Sequence, residues 1–354
     1  MNKITTLLLS ASDVNLLMQK YGIDRLMDDL TFRLIKEFEN FNTLDTVIPI
    51  RSGFNYNTDH VGLVEWMPVY KTGEEVVIKV VGYHPKNPVK FNLPTILSTI
   101  SSYDTKTGHL KGLVDGVLLT ALRTGAASAV ATKYMAHPES STLGLIGCGA
   151  QSITQLHAIS RLFPIKKVLI YDTDIEAVKS FKNRSALLGL DIDVLHKEIV
   201  NILSESDIIC TETSIDVGEG PLFTEYNNKP HLHINAIGSD FPGKIELPIN
   251  LLKESFVCPD FTEQAKKEGE CQQLTDDQIG SDLYTVIQNY DEYKHLKDEL
   301  TVFDSTGWAL EDQVVMDLFL DLAHEFKIGM EVALENISED VKNPYHFLFK
   351  SVNV

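Results

Sequence analysis

A short apolar run, residues 143–146, leads directly into Gly147-Cys-Gly149-Ala-Gln-Ser152 and then into a helical pattern at 151–162. Few chain geometries accept that order. A strand that must turn at once into a helix needs a residue free to leave the ordinary backbone regions, which Gly147 supplies. Gly149 leaves the helix start without a side chain, so a diphosphate can approach the unpaired amides of the helix N-terminus. Residues 167–171 read as the next strand and end at Asp172, about 20 residues beyond the glycines, where an acid accepts the hydroxyls of an adenosine ribose. Together these specify a dinucleotide-binding βαβ unit. Asp172 repels a 2′-phosphate and no arginine follows it, so NAD is expected rather than NADP. Gly147, Gly149, Ala150, Gln151, Ser152 and Asp172 are its candidate contacts, with Ser152 standing where a third glycine is often found.

The same alternation continues, with strands expected near 192–195, 208–211, 233–237, 255–259 and 302–304 and helical stretches between them. That rhythm predicts an α/β, doubly wound parallel sheet of Rossmann type. Upstream the period changes. Residues 46–54, 61–69, 75–83, 95–103 and 110–115 read as consecutive strands without intervening helices. The last two flank Asp104-Thr-Lys-Thr-Gly108, a turn-forming cluster, and so predict an antiparallel hairpin. This part is expected to be an α+β domain with a largely antiparallel sheet. Ser10 and Asp13 mark a capped first helix, and Leu26, Leu30, Leu34 and Phe38 one face of a second. A small-residue helix spans 119–136, and a long one runs from Trp308 to Phe326, ahead of an acidic tail. The expected division is residues 1–124 with 325–354 around the substrate, and 125–324 around the dinucleotide.

With 31 Lys+Arg against 50 Asp+Glu, the net charge is −19, which argues against a nucleic-acid or anionic-membrane binder. Four cysteines without a C-x-x-C pair fit a reducing cytoplasmic compartment. No uncharged apolar stretch approaches the roughly 20 residues of a membrane span. The apolar N-terminus meets Asp13 and Asn15 at once, so it reads as a strand entering a helix rather than a signal peptide. His231 and His233 share a strand face but have no carboxylate or cysteine at ligand spacing, so no metal is expected.

Several charged residues stand in unusual settings. Arg123 lies in Leu122-Arg-Thr-Gly125, on a helix otherwise rich in Ala, Ser and Val, and needs a carboxylate, a phosphate or water as its partner. A structural ion pair and a ligand contact are both compatible with that. Asp240 follows an apolar strand of the parallel sheet, where loops at the carboxyl ends line the crevice. Glu65 and Lys79 interrupt strand patterns, and the ordinary reason is a solvent-facing side of a half-exposed sheet.

Six stretches carry a resemblance: Val81-Gly-Tyr-His-Pro-Lys-Asn-Pro88, Leu93-Pro-Thr95, Leu122-Arg-Thr-Gly-Ala-Ala-Ser-Ala129, Leu145-Ile-Gly-Cys-Gly-Ala-Gln151, Asn235-Ala-Ile-Gly-Ser-Asp-Phe-Pro-Gly-Lys-Ile-Glu-Leu247 and Phe303-Asp-Ser-Thr-Gly-Trp-Ala-Leu-Glu-Asp312. In this order they resemble the ornithine cyclodeaminase/mu-crystallin family. Having both Glu65 and Asp240, the chain is most similar to its bacterial ornithine cyclodeaminase branch. The resemblance implies that Arg51, Lys79 and Arg123 hold a substrate carboxylate, with Lys244 beside them. Glu65 and Asp240 would face the amines, Asp240 as the base, and Thr95 would line the pocket. It also implies Thr124 and Ser239 at the cofactor and a homodimer formed through the N-terminal sheet. The implied reaction is redox-neutral, NAD-dependent conversion of L-ornithine to L-proline and ammonia. Lysine cyclodeamination, amino-acid dehydrogenation and cyclic-ketimine reduction are the alternatives.

Overall fold

The computed structural model describes residues 4–56, 62–346 and 348. Val61, where the sequence starts a strand, and the end of the acidic tail lie outside them. Among the described residues the strands form two sheets. The first takes β1 (Thr6–Leu9), β2 (Thr46–Val47), β3 (Ser52–Asn55), β4 (Leu63–Lys71), β5 (Glu75–Tyr83), β6 (Ile96–Asp104) and β7 (Leu110–Asp115). The second takes β8 (Thr142–Ile146), β9 (Lys167–Tyr171), β10 (Asp193–His196), β11 (Ile208–Thr211), β12 (His233–Ala236), β13 (Phe256–Pro259) and β14 (Thr301–Asp304). A last strand, β15 (Met330–Val332), returns to the edge of the first sheet. It lies just after the last helix, where Ile328, Met330, Val332 and Leu334 alternate along the chain, a strand pattern not among those expected from the sequence.

The first sheet runs β15-β1-β7-β6-β5-β4-β2, with β3 also on β4. It is antiparallel apart from β1 against β7. The strand expected over 46–54 is broken in two, because Pro49 has no amide to donate to β4. β2 and β3 both pair with β4, but their registers differ by one residue, Thr46 facing Lys71 and Ser52 facing Trp66. The break leaves Arg51 outside the ladder, with its amide donated to Oε1 of Gln264 at 3.0 Å.

The second sheet, β10-β9-β8-β11-β12-β14-β13, is parallel throughout. β11, β12 and β14 are buried along their whole length, as strands covered on both faces must be. From β8 the chain proceeds outward to β9 and β10, then returns to the other side of β8 as β11. The reversal between β8 and β11 is the switch point at which such sheets hold ligands.

Ser10 caps helix Ala11–Tyr21 in a capping box with Asp13, and Leu26, Leu30, Leu34 and Phe38 form the buried stripe of helix Ile23–Asn40. The small-residue helix, Val117–Met135, lies close against helix Ala150–Leu162. A Cβ on Gly125 would stand 2.6 Å from the carbonyl oxygen of Thr154. The ring of Trp308 stacks on Phe38 and Phe261, each 5.9 Å away, and so joins the N-terminal helices to the second sheet. No helix of the described residues is long and apolar enough to cross a membrane. Gly125→Val forces the two helices apart and is expected to destabilise the protein by at least the ~1–3 kcal/mol of an overpacked core, read from denaturant unfolding.

Candidate active site

The cofactor crevice begins where β8 ends. Gly147 has φ +113°, and a Cβ on it would lie 2.9 Å from the carbonyl oxygen of Glu212. Gly149 is the N-cap of helix Ala150–Leu162 and offers no side chain to its amides. A Cβ there would meet nothing within 4 Å, and Gly149 and Ala150 are both exposed. The first-turn donors therefore face open space, which fits a diphosphate. The hydroxyl of Ser152 turns back to the carbonyl of Gly149 at 2.6 Å, holding the turn. Gln151 accepts the Thr154 hydroxyl at its carbonyl, 3.0 Å, and at Oε1, 3.2 Å. Asp172 accepts the amides of Cys148 at 2.6 Å and Asp174 at 2.8 Å, leaving lone pairs for ribose hydroxyls. Arg184 was not foreseen here. From the far end of its helix it donates to the carbonyls of Cys148 at 2.6 Å and Ala177 at 2.9 Å, so it braces the glycine turn. Thr124 and Ser239 use their hydroxyls internally, on the carbonyls of Thr120 at 2.9 Å and Lys244 at 2.5 Å.

The second part of the site follows from strand period. Leu63, Glu65 and Met67 on β4 face Tyr83, Val81 and Lys79 on β5 in register, so all six point to one side of the sheet. That side is the inward one. Glu65 and Lys79 are therefore not the solvent-facing charges their strand context suggested. With Arg51, Arg123, Asp240 and Thr306 they wall a cavity that is partly open to solvent. Thr95 is not among its walls. Ile96, opposite Tyr83, takes the inward position, and Thr95 gives its carbonyl to the amide of His84 at 2.8 Å.

Every cation here has an acid behind it. Lys79, 1% exposed, places Nζ 2.9 and 2.7 Å from the oxygens of Asp312. Arg123 pairs with Glu311 at 2.8 Å and, through Nε, with Asp312 at 3.2 Å. Arg51 pairs with Glu268 at 2.6 Å, lies 3.8 Å from Glu65, and donates to the carbonyls of Thr306 and Gly307. Lys244 sits behind the cavity wall, 2.9 Å from Asp240 and over the ring of Tyr83. Glu268, Glu311, Asp312 and Tyr83 were not among the sequence candidates. Lys266-Lys-Glu-Gly-Glu270 reads as a solvated charge run, so Glu268 carried no signal. The need of Arg123 for a carboxylate did signal an acid, without saying which.

Burial sets the protonation of the site. It pushes Lys79 down to about 8, with Arg123 adding to the fall against Asp312. Burial raises Glu65 despite Arg51, and takes Glu268 up to about 8, with Glu65 and Asp240 contributing. Glu311 rises to about 7 for the same reason, against the pull of Arg123. Burial opposes the Lys244 ammonium, but Asp240 and Tyr83 keep it strongly favoured. The cavity thus brings cations and carboxyl groups together in one poorly solvated space, with Glu65 raised by burial. Among the described residues, no group of three or more His, Cys, Asp or Glu side chains is placed to hold a metal.

The sequence profile of the ornithine cyclodeaminase/mu-crystallin family matches residues 12–326. The chain belongs to this family. It is 39% identical to the L-lysine cyclodeaminase of Streptomyces rapamycinicus, over 96% of this chain and 99% of that protein. A solved lysine cyclodeaminase, described for its recognition of L-lysine, L-ornithine and L-2,4-diaminobutyric acid, shares 44% identity and superposes with a TM-score of 0.94, covering 97% of this chain and 99% of the other. An archaeal alanine dehydrogenase dimer with bound NAD shares 29% identity at a TM-score of 0.83, over 94% and 100% of the two chains. NAD is the cofactor this family fold carries, and the open helix N-terminus at Gly149 fits it.

A carboxyl whose pKa is raised on folding stabilises the protein below its unfolded value, about 4.3, and loses that contribution as the pH climbs through the folded value. Glu268, at about 8, should therefore make the melting temperature fall between about pH 5 and pH 8. Glu268→Gln is expected to make that decline shallower in calorimetric scans, and an unchanged slope would remove Glu268 from this role.

Proposed function

We propose that the protein is an NAD-dependent cyclodeaminase of L-α,ω-diamino acids. Its main reaction is L-lysine to L-pipecolate and ammonia, and L-ornithine to L-proline is a second. The supporting observation is one cavity walled by the cations Arg51, Lys79 and Arg123 together with the carboxylates Glu65 and Asp240, with Glu268 behind Arg51. A diamino acid has an anionic head and an extra cation, and this pattern is its complement. The resemblance alone favoured ornithine. Similarity to lysine cyclodeaminases over nearly the whole chain moves the main reading to lysine.

In this reading Arg51, Lys79 and Arg123 orient the α-carboxylate, and Lys244 keeps Asp240 in place. Bound NAD supplies reversible hydride exchange at the α-carbon. Ring closure needs a neutral ω-amine, whose ordinary pKa is about 10.4. Asp240 accepts its proton, while Glu65 faces the amine that departs as ammonia. Folding the substrate inside the cavity turns the attack on the α-imine into an oriented intramolecular step, with effective molarity on the order of 10⁵ M or more. We propose a division with residues 1–124 and 325–354 chiefly around the substrate and 125–324 around the cofactor, Asp240 and Thr306 reaching the cavity, and Glu268 reaching Arg51, from the second part.

We also propose a homodimer through the outer face of the first sheet, and a cytoplasmic location. Phe54, Tyr70, Val80 and Leu97 are 68, 37, 40 and 41% exposed on β3–β6. An apolar sheet face of that kind suits a second copy.

L-Lysine deuterated at the α-carbon should give pipecolate still deuterated there, with one ammonia released per turnover and NAD needed only in catalytic amount. A net dehydrogenase would accumulate NADH and lose the deuterium, which would overturn the reading. Asp240→Asn should lower kcat by at least ~10²-fold, as expected for loss of a general base. One methylene separates lysine from ornithine, so their kcat/KM values are expected to differ by about 10–200-fold in favour of lysine.

A further inference from the structure

Most buried acids of this protein have evident work. Asp304 accepts the amides of Glu270 and Cys271, each at 2.8 Å. Glu270 accepts those of Glu246 and Leu247, and Glu246 those of Thr213 and Gly238. Glu311 and Asp312 meet Arg123 and Lys79. Glu212 has no such employment. Both of its carboxyl oxygens are out of solvent contact, and neither has a hydrogen-bond partner. Leaving a buried carboxyl without a donor or a cation costs several kcal/mol, so its position calls for a reason.

The position is informative. Ile146 of β8 and Thr211 of β11 are paired in register. The next residues, Gly147 and Glu212, therefore stand side by side at the carboxyl ends of the two central strands. This is the switch point. Gly147 is also shaped around the acid, since a Cβ on it would lie 3.1 Å from Cγ of Glu212. Two further carboxylates flank it, Asp172 and Glu246, and both are occupied by backbone amides. Of the three, Glu212 is the one without donors, so the proton shared among these crowded acids belongs on it.

We propose that Glu212 is a cofactor-binding residue that donates a hydrogen bond, as a neutral carboxylic acid, to an oxygen of the diphosphate–ribose backbone of NAD. A carboxylate at this point would repel the diphosphate, whereas a carboxylic acid adds a donor beside the open amides of Gly149 and Ala150. Burial holds the carboxyl well above the usual range, and Glu246 and Asp172 reinforce it. The other titratable groups facing this corner are the thiols of Cys148 and Cys210, with Arg184 across the turn. The inference rests on NAD binding alone and is independent of the diamino acid reading.

Calorimetric titration with NAD⁺, without substrate, tests it in the full chain across pH 6.5–9. Affinity of the native protein should weaken with rising pH, approaching about tenfold per pH unit once the acid ionises, and binding should take up a proton there. Glu212→Gln keeps a donor and the shape. It should bind within about threefold of the native protein at pH 6.5, with neither the pH slope nor the proton uptake, although Cys148 and Cys210 remain. Glu212→Leu should bind about tenfold or more weakly at pH 6.5, as for a lost bond to a charged oxygen. If Glu212→Leu does not fold, proton uptake by the native protein and its loss in Glu212→Gln decide the matter. A Glu212→Leu protein that folds and binds NAD⁺ as tightly as the native protein, or a Glu212→Gln protein that retains a pH slope seen in the native one, would overturn the proposal.

Discussion

Lys79 and Arg123 lie together beneath the substrate cavity, nearly out of contact with water, and an unpaired cation at that depth costs several kcal/mol. Asp312 lies between them, touching Nζ of one and Nε of the other, and Glu311 takes Arg123 from a second side. Neighbouring residues of a helix diverge by about 100°, so two adjacent acids reach one guanidinium from two directions only if the helix starts at the right depth. Trp308 sets that depth through its stacking on Phe38 and Phe261. An aromatic contact that looks like ordinary core thus places the acids on which the buried cations depend. Because Lys79 belongs to the first sheet and Arg123 to the helix that leads into the second, the same contact also ties the two sheets together.

This arrangement accounts for how the cavity stays charged without collapsing onto itself. The cations are held from behind by acids that do not line the cavity, so their forward faces remain available. At the opposite wall, Asp240 is paired with Lys244 while Glu65 sits in a poorly solvated place near a cation that only partly offsets its burial. The raised carboxyl of Glu65 arises here from burial, and no unusual chemistry is needed to explain it.

Much of this was legible in the chain. The glycine turn, Asp172 and the alternating apolar strands specified the parallel sheet, because each local requirement there is also the global one. The antiparallel strands were visible, but the break at Pro49 that divides β2 from β3 was not among the expectations, and β15, three residues long, lies in a short alternating run ahead of the acidic tail. Periodicity placed Glu65 and Lys79 in strands without saying which face was covered, since that depends on helix Ala309–Phe326 arriving from more than 200 residues away. Glu268 was invisible for a related reason: its neighbours in sequence are solvated lysines, and only the fold turns it toward Arg51. Thr95 shows the opposite limit, a residue one step from the position that faces inward.

The break at Pro49 has one more consequence. Freed from the ladder, Arg51 reaches across to the second sheet, where its Nη2 bonds two carbonyls and its Nε meets Glu268. A guanidinium has five donors in a rigid fork, and here both Nη2 donors are held by backbone carbonyls while Nε lies against Glu268. Such a group is a fixed post that does not swing to follow a guest. With Lys79 and Arg123 also held by acids, the cavity measures its ligand as a ruler does: a chain of the wrong length brings its charges to the wrong marks.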